Sequence, residues 1–144
     1  MTYWLLALAA LMFGLYNIFI KMSADHIHAV LGAVILQFVA AFLGLAVLLY
    51  MRHATHTEFN ITNRGITLAV LAGIAIGLVE MLTFYVYGRG IPVALGNPLI
   101  IGGSLIVTTG IGITLLREQV SAIQLSAIAL IIIGVAIMAW DATR

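Results

Sequence analysis

Five uninterrupted apolar runs dominate this chain, and they constrain its fold more than any other feature. They cover Tyr3–Ile20, Ala29–Met51, Ile66–Tyr87, Val93–Leu116 and Val120–Trp140, and little of the 144 residues lies outside them. A hydrocarbon layer of roughly 30 Å needs about 20 apolar residues of helix to cross it. The runs are continuous rather than alternating, and they far exceed the roughly 10-residue strands of a membrane barrel. Backbone groups in lipid must be satisfied within their own segment, which also selects helices. The expectation is an all-α integral membrane protein of five transmembrane helices, forming one domain over residues 1–144.

Composition excludes the alternatives. Apolar residues make up 64% of the chain and charged ones 8%, with a mean hydropathy of +1.22, whereas a soluble domain carries about 25% charged residues. A net charge of +1 supplies no field for nucleic acid. The absence of cysteine excludes thiol catalysis and thiolate metal sites. No Ser-His-Asp set, P-loop or dinucleotide glycine pattern occurs, so no enzymatic activity and no cofactor are expected. The first run lacks a basic leader and four more follow it, unlike a cleaved signal peptide.

Short polar segments punctuate the runs. Residues 21–28 separate the first two, 52–65 form the longest loop, and Gly88-Arg89-Gly90 with Pro92 breaks the third run from the fourth. Arg117-Glu118-Gln119 makes the last turn. Tyr3, Trp4, Tyr50, Tyr85, Tyr87 and Trp140 fall near run ends, where amphipathic rings favour the membrane interface. With five crossings, Arg52, Arg64 and Arg117 share one membrane face, and Lys21, Arg89 and Arg144 the other. Positive residues normally set orientation by their cytoplasmic excess. An even count fits insertion in both orientations; the competing reading is one dominant arginine.

Glu80 is the acidic residue well inside a run. An ionised carboxylate there costs several kcal/mol, so intramembrane acids face a cavity, a partner charge or a proton path. This suits a proton-coupled carrier or a site for cations; a purely structural role is the other reading. Gly73, Gly77, Glu80, Thr83 or Phe84, and Tyr87 fall on one helical stripe, its glycines forming a small-xxx-small contact surface. Asn17, Gly14 and Lys21 share a face of the first run, beside Phe13 and Tyr16. Asn17 calls for a partner across a helix contact, and Lys21 is placed to snorkel to the interface. Gln37 and Gly44 mark the second run. The fourth aligns Asn97, Ser104 and Thr108, and repeats Gly96, Gly103 and Gly110 every seven residues. Pro98 is read as a first-turn proline. Gly96-Asn97-Pro98 is either a helix start or a set of free amides for an anion. His26, His28, His53 and His56 lack carboxylate or thiolate company and read as loop residues, with no metal site. The candidate substrate or proton-binding residues are Glu80, Asn17, Tyr16, Thr83, Phe84, Asn97 and Ser104. The candidate packing residues are Gly73, Gly77, Ala127 and Gly134.

Residues 115–124 (LLREQVSAIQ) and 128–138 (IALIIIGVAIM) resemble the closing segment of an EamA-type repeat of the drug/metabolite transporter superfamily. That pattern has a glutamate, here Glu118, after the fourth helix and Gly134-Val135 in the last. Trp4, Phe13-Gly14 and Lys21 fit the start of such a repeat. Ala127 and Gly134, flanking Leu130-Ile131, resemble the small-residue dimerisation motif in the last helix of the related small multidrug resistance proteins. Those proteins carry an essential carboxylate in their first helix, and this chain has Phe13 at the matching position, so their antiport mechanism does not transfer. Glu118 sits where a negative charge favours the fifth helix dipole and can also pair with Arg117. The resemblance implies a single repeat of a fold usually built from two inverted repeats. A lone five-helix chain recreates that as an antiparallel, dual-topology homodimer of ten helices. The implied function is a small secondary transporter exporting metabolites or amphiphiles by alternating access; Glu80 has no counterpart in the resemblance, and its part in proton coupling rests on its place inside a run. Its partners are membrane lipid, a small-molecule substrate and a second copy, without nucleic acid; its place is a bacterial or archaeal cytoplasmic (inner) membrane. Two alternatives remain: a subunit of a heteromeric lipid-carrier flippase, and a non-transporting structural or regulatory membrane protein.

Overall fold

A computed structural model describes residues 2–54 and 59–144. It contains five helices, α1 Thr2–Ala24, α2 Ala29–Ala54, α3 Asn63–Gly88, α4 Val93–Thr114 and α5 Ala122–Asp141, and no strand among the described residues. All five are long and apolar enough to cross a membrane. The chain divides into two compact units, one ending at Gly90 and the other covering Ile91–Arg144.

Local chemistry explains where several helices differ from the apolar runs. α1 continues past Ile20 to Ala24, which makes Lys21 a helical residue. α3 starts three residues before Ile66, because the Thr62 hydroxyl accepts from the Gly65 amide at 3.1 Å and caps the first turn. α5 starts at Ala122 rather than Val120. Ser121 and Gln124 close a reciprocal capping box there, with bonds of 3.2 and 2.8 Å. α4 stops at Thr114 rather than Leu116. Arg117 takes a left-handed φ of 56°, and the Glu118 amide reaches back to the Gly112 carbonyl at 2.9 Å. Pro98 is the sixth residue of α4, not a first-turn residue. Its ring therefore removes the interior bond that would reach the Ala94 carbonyl.

In the first unit α1, α2 and α3 pack on one another. A Cβ on Gly88 would lie 3.3 Å from the Ala24 carbonyl, so α1 and α3 end side by side and run parallel, with α2 antiparallel to both. α2 meets α3 through two glycines. Gly32 lies under the Phe84 ring, and Gly77 lies against the Gln37 amide. Gly73 has open space around it, so the close approach expected from the glycine pair involves Gly77 alone.

The second unit is the α4–α5 pair. Its contact uses Gly102, where a Cβ would meet Val135 at 2.6 Å. Of the seven-residue glycine repeat, Gly96 is buried but Gly103 and Gly110 are open, so the repeat does not run along the packing face. Partly buried Leu105 and Thr109 with buried Gly112 continue the stripe that starts at Gly102. Ala127 and Gly134 on α5 are exposed, and nothing lies within 4 Å of a Cβ on Gly134.

Across the described residues the burial pattern is the reverse of a protein folded in water. Asn17, Glu80 and Thr83 are buried, while leucines, isoleucines and phenylalanines crowd the exposed surface.

Candidate functional site

The site is built by two parallel helix faces in the first unit. On α3, Gly77, Glu80, Thr83, Phe84 and Tyr87 are all buried, as the three- and four-residue spacing predicts from Gly77 onward. On α1, Asn17 and Ile20 are buried, with half-buried Tyr16 beside them. Tyr16 stacks on Phe13, ring centroids 5.5 Å apart.

Glu80 is 3% exposed. The Tyr16 hydroxyl is a hydrogen-bond partner of its carboxyl group. Oε2 has no partner among the described residues. A buried carboxylate oxygen left in that state is costly, so the site has an unmet demand for a proton, a cation or a donor. The nearby polar groups are directed elsewhere. Thr83 donates to the Val79 carbonyl at 2.8 Å, and the Asn17 amide nitrogen to the Phe13 carbonyl at 2.9 Å. The Tyr87 hydroxyl faces Asn17 Oδ1 at 3.5 Å, a long contact that still ties α1 to α3. Asn17 thus meets the cross-helix partner its type called for.

Lys21 does not extend freely away from the bundle. Its Nζ donates to the Tyr87 carbonyl at 2.7 Å and lies 3.9 Å from Asp25. A cation on the last carbonyls of α3 complements the negative end of that helix. Tyr87, unlike the other aromatic residues near run ends, is fully buried. Tyr3, Trp4, Tyr50, Tyr85 and Trp140 are exposed. Arg89 lies over the Tyr85 ring at 4.9 Å, and Arg144 over the Trp140 ring at 4.1 Å.

The sequence-derived set divides between the units. Glu80, Asn17, Tyr16, Thr83 and Phe84 converge in the first. Asn97 and Ser104 belong to the second. Asn97 Oδ1 is buried without a partner among the described residues. Ser104 is exposed, and its hydroxyl is held by the Ile101 carbonyl at 2.8 Å. The candidate site set omits two residues, both singled out in the sequence, that the structure adds: Lys21 as the cap of α3 and Gln37 against Gly77. The signal for Gln37 was an amide inside an otherwise apolar run.

Glu118 forms no ion pair with Arg117; the pair found among the described residues is Lys21–Asp25. Its carboxylate folds over Gly112 instead, where a Cβ would stand 2.8 Å from Oε2. Among the described residues no group of three or more His, Cys, Asp or Glu side chains could hold a metal ion. His56 lies outside the described residues. No family model matches the chain, and neither a curated protein nor a solved structure matches it.

Proposed function

We propose that this chain is a membrane-embedded secondary transporter whose binding or coupling carboxylate is Glu80. The observation that carries this reading is the buried, unpartnered Oε2 of Glu80, set among Tyr16, Asn17 and Tyr87 on helices long and apolar enough to cross a membrane. The apolar exterior supports insertion, because lipid favours exposed leucine and turns an ionisable group such as Glu80 toward the bundle interior.

In this reading the chain is one repeat of the drug/metabolite transporter kind, and two copies inserted in opposite orientations form the ten-helix unit. The even split of Lys and Arg across the two faces supports dual insertion. The exposed Ala127–Gly134 stripe on α5 offers a groove for a partner helix. Exchange of roles between the two copies converts an inward-open cavity into an outward-open one. A proton or a cationic group reaching Glu80 meets the demand of Oε2, and its release leaves the site ready for the next cycle.

Purified protein in liposomes on a solid-supported membrane tests the carboxylate. A panel of amino acids, polyamines and amphiphilic cations is applied over a range of pH. The wild type is expected to give pH-dependent currents with some members of the panel, and Glu80→Gln to lose them while keeping its helical circular dichroism. Undiminished pH-dependent currents in Glu80→Gln would remove the assignment. Orientation is read separately, by labelling single cysteines at Asn60 and Thr143 from outside intact cells. About half labelling at both supports dual insertion, and all-or-none labelling refutes it.

A further inference from the structure

The polar cluster gathers oxygens from two helices at one level of the first unit. Ala24 and Gly88 stand side by side at the ends of α1 and α3. Seven residues back from each are Asn17 and Met81, so Asn17 lies within about one residue step, roughly 1.5 Å of rise, of Glu80. The Tyr87 side chain leans toward the start of its own helix, and its hydroxyl faces Asn17 Oδ1 at 3.5 Å. Thr83 follows Glu80 on the same buried stripe.

The hydrogens of these groups are committed elsewhere. The Thr83 hydroxyl donates to the Val79 carbonyl at 2.8 Å. The Asn17 amide nitrogen donates to the Phe13 carbonyl at 2.9 Å, which fixes the amide and turns Oδ1 the other way. Lone pairs remain. Glu80 Oε2 has no partner among the described residues, Asn17 Oδ1 has one long contact, and Thr83 Oγ1 can still accept.

We propose that Glu80 Oε2, Asn17 Oδ1 and Thr83 Oγ1 bind one small, dehydrated monovalent metal cation of the sodium class. The inference rests on the reading of Glu80 given above and deepens it by naming the coupling ion. Charge selects the valence. Glu80 contributes one negative charge and the other two oxygens none, so a monovalent ion makes the site neutral, whereas a divalent ion leaves a net charge buried. The Lys21 ammonium, one turn beyond Asn17, is occupied by the Tyr87 carbonyl and Asp25. Donor type selects the metal. The described residues offer no cluster of His, Cys, Asp or Glu for a transition metal, while side-chain and backbone oxygens are the ligands of sodium inside membranes. Burial selects the size. Asn17, Glu80 and Thr83 are all buried, which leaves no room for the carbon substituents of an organic ammonium ion. A proton on Oε2 answers one acceptor, and a metal ion answers oxygens of both helices at once.

Scintillation proximity with radioactive sodium, on the purified protein in detergent, tests this. The wild type is expected to bind one sodium per protomer, displaced by unlabelled sodium and not by choline. Glu80→Gln should abolish binding. Thr83→Val keeps the shape, removes Oγ1 and should weaken binding at least tenfold. Thr114→Val is the matched control, because that hydroxyl likewise donates to its own helix, at the Gly110 carbonyl 2.7 Å away, on the exposed surface of α4; it should bind as the wild type does. A wild type without saturable sodium binding overturns the proposal, as does undiminished binding in Glu80→Gln or Thr83→Val. Failure of the site and failure of the transporter reading are separable. Currents that disappear in Glu80→Gln, from a wild type that binds no sodium, refute the cation site and leave Glu80 to a proton. Sodium binding that needs Glu80, together with currents that do not, supports the site and refutes the transport role of Glu80.

Discussion

Gly32→Ala tests the packing that holds the candidate site together. A Cβ at this position would stand 2.5 Å from Phe84 Cε1 and 2.8 Å from Cζ, where unstrained carbons keep about 3.5–4.0 Å. The Phe84 ring must retreat by roughly 1 Å, yet it is 4% exposed and shares a helical turn with Glu80 and Thr83. Overpacking of this kind costs about 1–3 kcal/mol. The better helix propensity of alanine offsets up to about 1 kcal/mol, leaving a net destabilisation of about 0–2 kcal/mol. A single value in that range decides little, so the test is a cycle. Phe84→Ala alone should cost about 3–5 kcal/mol. In that background Gly32→Ala has nothing to collide with, and should become neutral or stabilising by up to about 1 kcal/mol.

The assay is reversible unfolding in mixed micelles, with helical circular dichroism followed as the denaturing detergent is raised. Gly14→Ala, Gly44→Ala and Gly73→Ala provide the baseline, since nothing lies within 4 Å of a Cβ at any of them. A coupling of about 1–3 kcal/mol between positions 32 and 84 is the expected result. Additive effects, or a Gly32→Ala protein that matches the three baseline variants, would refute the α2–α3 register and with it the placement of Phe84 next to Glu80.

The same assay reads two further contacts. Lys21→Met removes a charge-assisted bond to the Tyr87 carbonyl, worth about 1.5–3 kcal/mol where fully buried. With 25% of the side chain exposed, about 1 kcal/mol is expected; wild-type stability in Lys21→Met would show that the cap contributes nothing. Gly102→Ala should leave the second unit about 1–3 kcal/mol less stable than Gly103→Ala does, since both gain the same alanine propensity, and the difference should be relieved by Val135→Ala. The opposite ranking would place Gly103 on the α5 contact.

The five helices and the α3 stripe are legible in the sequence because length and three-to-four spacing are properties of one segment. The face by which each helix meets its neighbours is harder to read. A helix apolar all round carries little phase in its pattern, and successive residues differ by about 100° around the axis. That is why the seven-residue repeat that holds Gly103 does not reveal that the α5 contact falls on its neighbour Gly102. The part played by Lys21 depends on α1 and α3 running parallel with their ends level, a relation between segments that neither one encodes. The start of α5 was readable, since Ser121 and Gln124 already have capping-box spacing. The apolar run simply continued past it.

The polar cluster is best understood through its hydrogen-bond inventory. An ionised carboxyl group only accepts, and its two oxygens provide about four sites. Around Glu80, the Thr83 hydroxyl is taken by its own helix, Asn17 donates to Phe13, and Tyr87 turns to Asn17. The Lys21 ammonium is held at the end of α3. Tyr16 alone among these is directed at the carboxyl group. A cluster built only for stability would place donors on both oxygens, because one buried unsatisfied acceptor costs about 1–3 kcal/mol. Here the neighbours satisfy one another, and the deficit is concentrated on a single atom, Oε2. Such an arrangement keeps the fold intact while leaving one group whose free energy falls sharply when a proton or an external donor arrives. Gln at position 80 keeps the size of the side chain but carries no charge and takes up no proton, so the response is lost; this is the physical reason the Glu80→Gln comparison separates a working carboxylate from a structural one.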